Sequence, residues 1–304
     1  MTTVEPVPAT WLSRRERGTI AGLHLALGLA TVLGRTGMKP VVRLIALWYR
    51  LFDRAAVAGS RSWLTRIHGR PPGYWEVYRH IRVFVQVTLD RVFLLQNKTR
   101  GLVFARTGTE HLERQLATGR GAVLLGAHLG SYDAMRASGA ALDLPISVLG
   151  YFENARMINA LFDALNPGMA ARVIHMGGDP VGAVTRVLGR IEAGEFVGMF
   201  GDRVGLNDRV VRAPFFGAEA SFAAGPFLLA SLLRCPIFLV FGLYRDPGRY
   251  ELHCEPFVER VQLPRGRRDE ALAGYAARYA ERLEAYARKA PDNWFNWFDF
   301  WGRS

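Results

Sequence analysis

The sequence predicts an α/β protein in which helices flank a mixed central sheet and a helical extension precedes it. From about residue 101 onward, short apolar segments alternate with segments whose apolar residues recur at helical intervals, which is the pattern of strands separated by helices. Residues 11–98 have a mostly helical pattern, and no internal repeat or low-complexity linker divides the chain. We therefore expect an N-terminal helical, membrane-proximal extension over residues 1–100 and an α/β core over residues 101–304, together forming one structural unit.

The composition fits a folded protein with a basic surface. Half of the 304 residues are hydrophobic and 22% are charged, which excludes a disordered chain. The net charge is +12 and the isoelectric point is about 10.3. Such a surface attracts anionic partners, namely nucleic acid, anionic lipid headgroups or an acidic carrier protein.

The N-terminal extension contains an uncharged run over residues 18–34, flanked by arginines and a lysine. The run falls short of the roughly 20 apolar residues that span a bilayer, and no small-residue cleavage motif of a signal peptide ends it. It predicts an interfacial or shallowly inserted helix whose arginines lie at the headgroup level. The alternative is a helix packed on the protein's own core.

Two further helices are predicted over residues 40–57 and 74–98, where arginines separate apolar residues at helical spacing. The second is basic and amphipathic. A helix of this kind either binds a membrane surface or presents a solvated outer face, and the sequence leaves both possibilities open.

The core of the chain is predicted to alternate strands and helices. The predicted strands cover residues 122–126, 146–151, 172–176, 196–200, 236–244 and 250–258. The predicted helices cover residues 155–165, 180–194, 222–233 and 269–290.

The cysteines and histidines predict neither a disulfide framework nor a metal site. Cys235 and Cys254 are the only cysteines and stand in apolar, strand-like stretches, so a reducing, cytosol-facing location fits. The seven histidines are scattered without HExxH or comparable ligand spacing. We expect no metal and no bound cofactor.

The stretch "LLGAHLGSYDAM" combines a strand end, a histidine and an aspartate. A strand is expected to end near Gly126, and Ser131 is a suitable N-cap for a following helix. His128 and Asp133 stand five residues apart, about 500° on one helix, so they can meet only if His128 lies in the turn before that helix. Gly130 makes such a turn easy. A carboxylate bound to one imidazole nitrogen would fix the tautomer and make the other nitrogen a base; the alternative is a structural histidine.

Two later stretches hold further candidates for a substrate site. Asp202 and Arg203 follow the strand over residues 196–200, at the sheet edge where α/β proteins bind ligands. Arg203 offers a guanidinium for phosphate or a polarised carbonyl, and the alternative is a simple ion pair at a strand end. In the segment that begins with "APFFG", aromatic residues and a glycine could line an apolar tunnel or pack in the core: Phe215, Phe216, Gly217 and Phe222.

Taken in order, these motifs resemble the lysophospholipid acyltransferase superfamily, and within it the branch of late acyltransferases of lipid A biosynthesis. "HLGSYD" is similar to the HxxxxD motif of that family, and "GDR" at 201–203 stands where members carry an Asp-Gln or Asp-Arg pair. "PFFG", "GPFLLA" and "CPIF" resemble the segments that follow, and "APDNWFNWFDFW" resembles the aromatic terminus of a subgroup of predicted acyltransferases. The resemblance extends over nearly the whole chain and implies a glycerol-phosphate acyltransferase-like fold.

The resemblance implies a membrane-associated O-acyltransferase. His128, oriented by Asp133, would deprotonate a hydroxyl that attacks the thioester of an acyl carrier protein or coenzyme A. The substrate site would comprise Gly130, Ser131, Asp202, Arg203, Phe215, Phe216 and Gly217. The acceptor would be a membrane lipid or glycolipid at the cytoplasmic face of a bacterial inner membrane, to which the protein would attach peripherally or by shallow insertion.

The chain departs from the lipid A enzymes at one point, which bears on the acceptor. Those enzymes commonly carry a YRP-like arginine after the next strand, whereas this chain has "LGYFENAR", in which Arg156 is the available arginine. Two other functions remain open: a lipid or thioester hydrolase, although the G-x-S-x-G elbow of lipases is absent, and a non-catalytic lipid-binding protein. No nucleic-acid-binding motif is recognisable, and the basic residues are dispersed.

Overall fold

A computed structural model describes residues 20–151, 160–161, 165–170, 172–205 and 208–301. Four helices come first: α1 (Ile20–Gly37), α2 (Lys39–Phe52), α3 (Arg54–His68) and α4 (Tyr74–Leu95). The strands of the core are β1 (Val103–Thr107), β2 (Val123–Gly126), β3 (Ile146–Gly150), β4 (Val173–His175), β5 (Phe196–Phe200), β6 (Val210–Phe215), β7 (Ala218–Ala223), β8 (Ile237–Arg245) and β9 (Arg249–Val258). Its helices are α5 (Thr109–Leu116), α6 (Tyr132–Ala140), α7 (Pro167–Ala170), α8 (Pro180–Glu192), α9 (Gly225–Leu233) and α10 (Arg268–Lys289), followed by a 3-10 turn (Pro291–Asn293).

Seven strands form the central sheet in the order β1-β9-β8-β2-β5-β3-β4. All neighbouring pairs are parallel except β8 and β9, so β1 and β9 run against the other five. This confirms the predicted α/β fold with a mixed sheet and flanking helices. Helices α5 and α6 cover one face of the sheet, and α8, α9 and α10 cover the other.

The structure corrects the predicted helix over residues 40–57, which is two helices. The break lies at Asp53, which closes α2 and whose carboxylate accepts a hydrogen bond from the backbone N–H of Ala56 at 2.9 Å. An aspartate competes with helical hydrogen bonding in this way and starts a new helix as its N-cap. The predicted helix over residues 74–98 is α4.

Four elements of the core were not predicted: β1, α5, the short helix α7 and the β6–β7 hairpin. The predicted helix over residues 222–233 starts only at Gly225, because Phe222 belongs to β7. The two-residue turn of the hairpin is Phe216–Gly217, with φ of 49° and 75°, as type I′ turns require. The predicted helix over residues 155–165 falls mainly outside the described residues.

A buried ion pair ties the N-terminal extension to the sheet. Arg35 at the end of α1 donates from Nε and Nη2 to the two carboxylate oxygens of Asp90 on α4, at 2.8 and 3.0 Å. The Tyr250 hydroxyl on β9 donates to the same carboxylate at 2.8 Å.

The proposed boundary at residue 100 falls in the turn between α4 and β1. Among the described helices, none combines the length and apolar character needed to cross a bilayer.

Candidate active site

The register of two parallel strands brings His128 and Asp202 together. Gly126 at the end of β2 pairs with Phe200 at the end of β5, and His128 and Asp202 each follow two residues later. Parallel strands end at the same sheet edge, so these side chains meet where ligands of α/β proteins bind. The sequence prediction that His128 lies in a turn between a strand and a helix is confirmed.

The carboxylate of Asp202 holds His128 by two hydrogen bonds. The imidazole Nδ1–H donates to Oδ1 at 2.8 Å, and the backbone N–H of His128 donates to Oδ2 at 2.9 Å. Because a carboxylate accepts this bond, Nδ1 carries the proton and Nε2 keeps its lone pair. Nε2 has no hydrogen-bond partner within the described part of the chain, and the His128 side chain is 24% exposed while that of Asp202 is fully buried.

The prediction that Asp133 is the partner of His128 is wrong for this structure. Asp133 lies in the first turn of α6, as expected, but its carboxylate faces α4 and accepts a hydrogen bond from Arg91 Nε at 2.7 Å. Ser131 caps α6 directly after the turn, and within the first turn of this helix the Asp133 side chain faces α4, whereas Tyr132 packs on Phe200 of β5.

The C-terminal segment, residues 290–301, supplies the remaining hydrogen-bond donors to Asp202. In the sequence it was noted only because it resembles the aromatic terminus of a subgroup of predicted acyltransferases. Trp294 Nε1 and Asn296 Nδ2 donate to Oδ2 of Asp202 at 3.1 and 2.8 Å. Arg203 Nε in turn donates to Asn296 Oδ1 at 2.7 Å. With the two bonds from His128, four donors satisfy the buried carboxylate, which offsets the cost of removing its charge from water.

The same C-terminal segment fixes the backbone of the His128 turn. The N–H of Phe295 donates to the carbonyl of His128 at 2.8 Å, and the N–H of Gly130 donates to the carbonyl of Asn293 at 2.8 Å. Beneath them, buried His80 bonds to the carbonyl of Trp294 at 3.0 Å, and burial lowers the pKa of His80 to about 4. The only sequence signal for this role was the density of Trp, Phe and Asn after α10.

Gly130 and Ser131, predicted to bind substrate, shape the turn in this structure. Gly130 has a φ of 75°, and a side chain there would overlap the carbonyl of Gly242, so only glycine fits. The Ser131 hydroxyl accepts a hydrogen bond from the N–H of Ala134 at 3.1 Å, which confirms it as the N-cap of α6.

The predicted tunnel residues belong to a buried aromatic cluster behind Asp202. Phe215 packs edge-on against Trp294 at 5.5 Å between ring centroids, and Phe216 packs against Trp63 at 5.2 Å. Phe215 therefore contacts Trp294, and Trp294 in turn donates a hydrogen bond to Asp202. Gly217 belongs to the turn of the β6–β7 hairpin. The aromatic ring that contacts the imidazole of His128 is Phe200, at 4.5 Å, which was not predicted.

The electrostatics keep His128 neutral and Asp202 ionised. Burial lowers the pKa of His128 below its ordinary value, and the guanidiniums of Arg203 and Arg91 lower it further, against the opposing effect of Asp202. Burial alone would raise the pKa of Asp202, but its bonds with His128 and the charge of Arg203 hold it below the ordinary value. The arrangement is a neutral imidazole with one free nitrogen, held by a carboxylate and flanked by two cations.

The described histidines, carboxylates and cysteines are dispersed, and both cysteine thiols are largely protonated at neutral pH. Within the ranges that the structure describes, no three His, Cys, Asp or Glu side chains converge as metal ligands would. Both cysteines are free, and burial raises the pKa of the Cys235 and Cys254 thiols to about 11 and about 12.

One known protein family matches the greater part of the chain. The model of the bacterial lipid A biosynthesis acyltransferase family matches residues 85–300, which include the His128 turn, Asp202 and the C-terminal segment. None of the curated proteins compared with the chain matches it. The match takes in more than half of the 304 residues, and the chain belongs to the bacterial lipid A biosynthesis acyltransferase family.

Proposed function

We propose that the protein transfers a fatty acyl group from a thioester to a lipid or glycolipid hydroxyl, with His128 as the general base. The observation that supports this most strongly is the free Nε2 of His128 beside the ionised, fully buried Asp202. Nε2 takes the proton of the acceptor hydroxyl while its oxygen attacks the thioester carbonyl. The new C–O bond forms, the C–S bond breaks, and the leaving thiolate takes the proton from the imidazolium.

The two arginines near His128 support an anionic substrate. Arg203 and Arg91 are close enough to lower the pKa of His128, and the Arg91 side chain is 31% exposed although it binds Asp133. Guanidinium groups suit phosphate groups, which both a phospholipid acceptor and the phosphopantetheine arm of a carrier protein or of coenzyme A contain. Arg156, the alternative to the YRP-like arginine, lies outside the described residues.

Acyl transfer can be measured directly with the purified full-length chain. The chain is incubated with isotopically labelled acyl-carrier protein or acyl-coenzyme A and bacterial membranes, and the lipids are then analysed by mass spectrometry. We expect an ester-linked labelled chain in a lipid with at least one donor. Release of labelled fatty acid without a labelled lipid would indicate hydrolysis and contradict the proposal, and binding of lipids with neither reaction would indicate a non-catalytic lipid-binding protein.

The pH dependence should report the lowered pKa of His128. Only the neutral imidazole is a base, so kcat/KM is lost as the pH falls through the His128 pKa, and that acidic limb should lie below about pH 6.5. In Arg203→Gln the positive charge is removed, and the limb should move to higher pH. A pH profile of kcat/KM checks both positions, and a limb that stays in place in Arg203→Gln would contradict the electrostatic account.

A row of exposed apolar side chains on α2 supports attachment to the surface of an anionic bilayer. The row consists of large residues that are each more than a third exposed: Leu44, Ile45, Leu47, Trp48, Leu51 and Phe52. Trp75 at the start of α4 is 71% exposed and packs on Tyr74, over which Arg50 of α2 lies at 4.0 Å.

The positive charges around this apolar face favour an anionic membrane as its partner. Exposed Arg43 and Arg54 flank the row, and the net charge of the chain is +12. Apolar and tryptophan side chains bordered by arginine are typical of helices that lie at the interface of a membrane with anionic lipids. The inner-membrane surface therefore remains our proposal for the location, and nucleic acid is not proposed as a partner.

Vesicle binding tests this face with a matched pair of double variants. Trp48→Glu with Leu51→Glu should weaken binding of the full chain to phosphatidylglycerol-containing vesicles at least tenfold, since each apolar side chain contributes on the order of 1.5–3 kcal/mol when buried. Val181→Glu with Leu232→Glu makes the same charge change at side chains that are 78% and 67% exposed elsewhere, and should bind nearly as the wild type does. Equal losses in the two variants would contradict the assignment of α2.

A further inference from the structure

One peptide group of the C-terminal segment lies between the His128 turn and a second histidine, His80 of α4. This group joins Trp294 to Phe295: its N–H donates to the carbonyl of His128 at 2.8 Å, and its carbonyl accepts a hydrogen bond from Nε2 of His80 at 3.0 Å. A peptide group is planar, so the bond that holds its carbonyl also sets the direction of its N–H. His80 therefore acts on the backbone of His128 through a single rigid group.

The surroundings of His80 determine which of its ring nitrogens carries the proton. The side chain is fully buried, and burial lowers its pKa to about 4, so the ring is neutral at pH 7 and has one N–H. The carbonyl of Trp294 can only accept, so this N–H is at Nε2, and Nδ1 accepts a hydrogen bond from the hydroxyl of Ser60 on α3 at 2.9 Å. His80 thus has the opposite tautomer to that of His128.

Packing alone does not require a histidine at this position. The ring of His80 lies 4.6 Å from that of Trp297 and 6.2 Å from that of Phe295, between ring centroids, and a phenyl ring of similar size would make the same stacking contacts. Burying an imidazole among aromatic rings is costly unless its nitrogens are hydrogen-bonded, and here both are. What the imidazole adds over a phenyl ring is the N–H that holds the carbonyl of Trp294.

Other contacts of α3 and α4 anchor the C-terminal segment on both sides of Trp294. Before it, the indole Nε1 of Trp63 on α3 donates to the carbonyl of Pro291 at 2.7 Å. After it, the backbone of Trp297 packs so closely on Gly59 of α3 that a side chain at Gly59 would overlap it. Because the segment is fixed at these two points, the hydrogen bond from His80 determines the orientation of the peptide group between them.

We propose that His80 is a positioning residue of the acyl-transfer centre, which fixes the Trp294–Phe295 peptide and thereby the His128 turn and the indole that donates to Asp202. This role rests on the proposed function, since it serves the general base. His80 touches neither the substrate nor the imidazole of His128. Its loss displaces the base without removing a contact to the substrate, so it should lower kcat and leave KM nearly unchanged.

Two NMR measurements on the full-length protein test the link from His80 to the His128 turn without any turnover. In the wild type, ¹⁵N labelling at histidine should show the proton of His80 on Nε2, and a proton on Nδ1 would overturn the proposal without any variant. In His80→Phe, which keeps the ring and removes the N–H, the amide of Phe295 should exchange with solvent roughly tenfold faster relative to the amide of Leu124 in β2. His80→Gln, whose amide can donate to the same carbonyl, should keep the wild-type ratio. An unchanged ratio in His80→Phe would contradict the link.

Kinetics of labelled acyl transfer then test the effect on the base. We expect His80→Phe to lower kcat by about 10–100-fold with KM within about twofold of the wild type, and His80→Gln to restore kcat to within about fivefold. If His80→Phe fails to fold, His80→Asn replaces it with the same expectation, because its shorter amide lies near Ser60 and does not extend to the carbonyl of Trp294.

The matched control is Ser147→Ala, which removes another buried hydrogen bond, the one from the Ser147 hydroxyl to Glu195 at 2.9 Å near the amino end of β3. It should keep the wild-type kcat. A wild-type kcat in His80→Phe, or an equal fall in His80→Phe, His80→Gln and Ser147→Ala, would overturn the proposal. Absence of acyl transfer by the wild type would instead contradict the proposed function, and the exchange ratio would still decide whether His80 holds the His128 turn.

Discussion

His128→Ala is expected to lower kcat/KM for acyl transfer by about 10²–10⁴-fold, the usual contribution of a general base. Nε2 of His128 is the proton acceptor, and its neighbours Phe200 and Asp202 cannot replace it. Phe200 is apolar, and Asp202 is buried and keeps three hydrogen bonds when the imidazole is removed. The measurement is the initial rate of labelled acyl transfer into lipid.

The matched control for His128→Ala is His111→Ala, which removes a histidine on α5, remote from the β2–β5 edge. It should retain the wild-type rate. Binding of His128→Ala to anionic vesicles should also be unchanged, because the apolar row on α2 is intact. A His128→Ala rate within about twofold of the wild type would remove His128 from the mechanism.

Asp202→Asn is expected to lower kcat/KM by about 10³–10⁴-fold, because it changes the tautomer of His128. Oδ2 of Asp202 accepts hydrogen bonds from Trp294, Asn296 and the N–H of His128. An asparagine must keep its oxygen at that position to satisfy these donors, so its amide NH₂ faces Nδ1 of His128. Nδ1 then becomes the acceptor, the proton moves to Nε2, and the base is lost.

The control for Asp202→Asn is Asp133→Asn, which alters the other carboxylate of the motif. Asp133 binds Arg91, so its effect should appear in the KM for an anionic substrate, through the position of Arg91. A larger fall in kcat for Asp133→Asn than for Asp202→Asn would contradict the pairing seen in the structure.

The elements around the site could be predicted because local patterns determine them. An apolar run that closes on a glycine, Gly126 or Gly201, marks the end of β2 and of β5, and Ser131 marks the start of α6. The partner of His128 could not be predicted, because it depends on the register between β2 and β5, strands separated by about 70 residues and two intervening strands. Proximity in sequence favoured Asp133, whereas pairing of Gly126 with Phe200 selects Asp202.

The role of the C-terminal segment could not be predicted from the sequence either. Trp294 and Asn296 show no periodicity and no motif spacing, and their role depends on how α10 delivers the following residues to the His128 turn.

The most direct test of the central claim is ¹⁵N NMR of the full-length protein labelled at histidine, with His128 assigned by the loss of its signals in His128→Ala. Our account predicts a neutral imidazole at pH 7 with a protonated Nδ1 and an unprotonated Nε2 in the wild type and in Asp133→Asn, and the reverse tautomer in Asp202→Asn. A proton on Nε2 in the wild type, or a tautomer that changes in Asp133→Asn but not in Asp202→Asn, would contradict it.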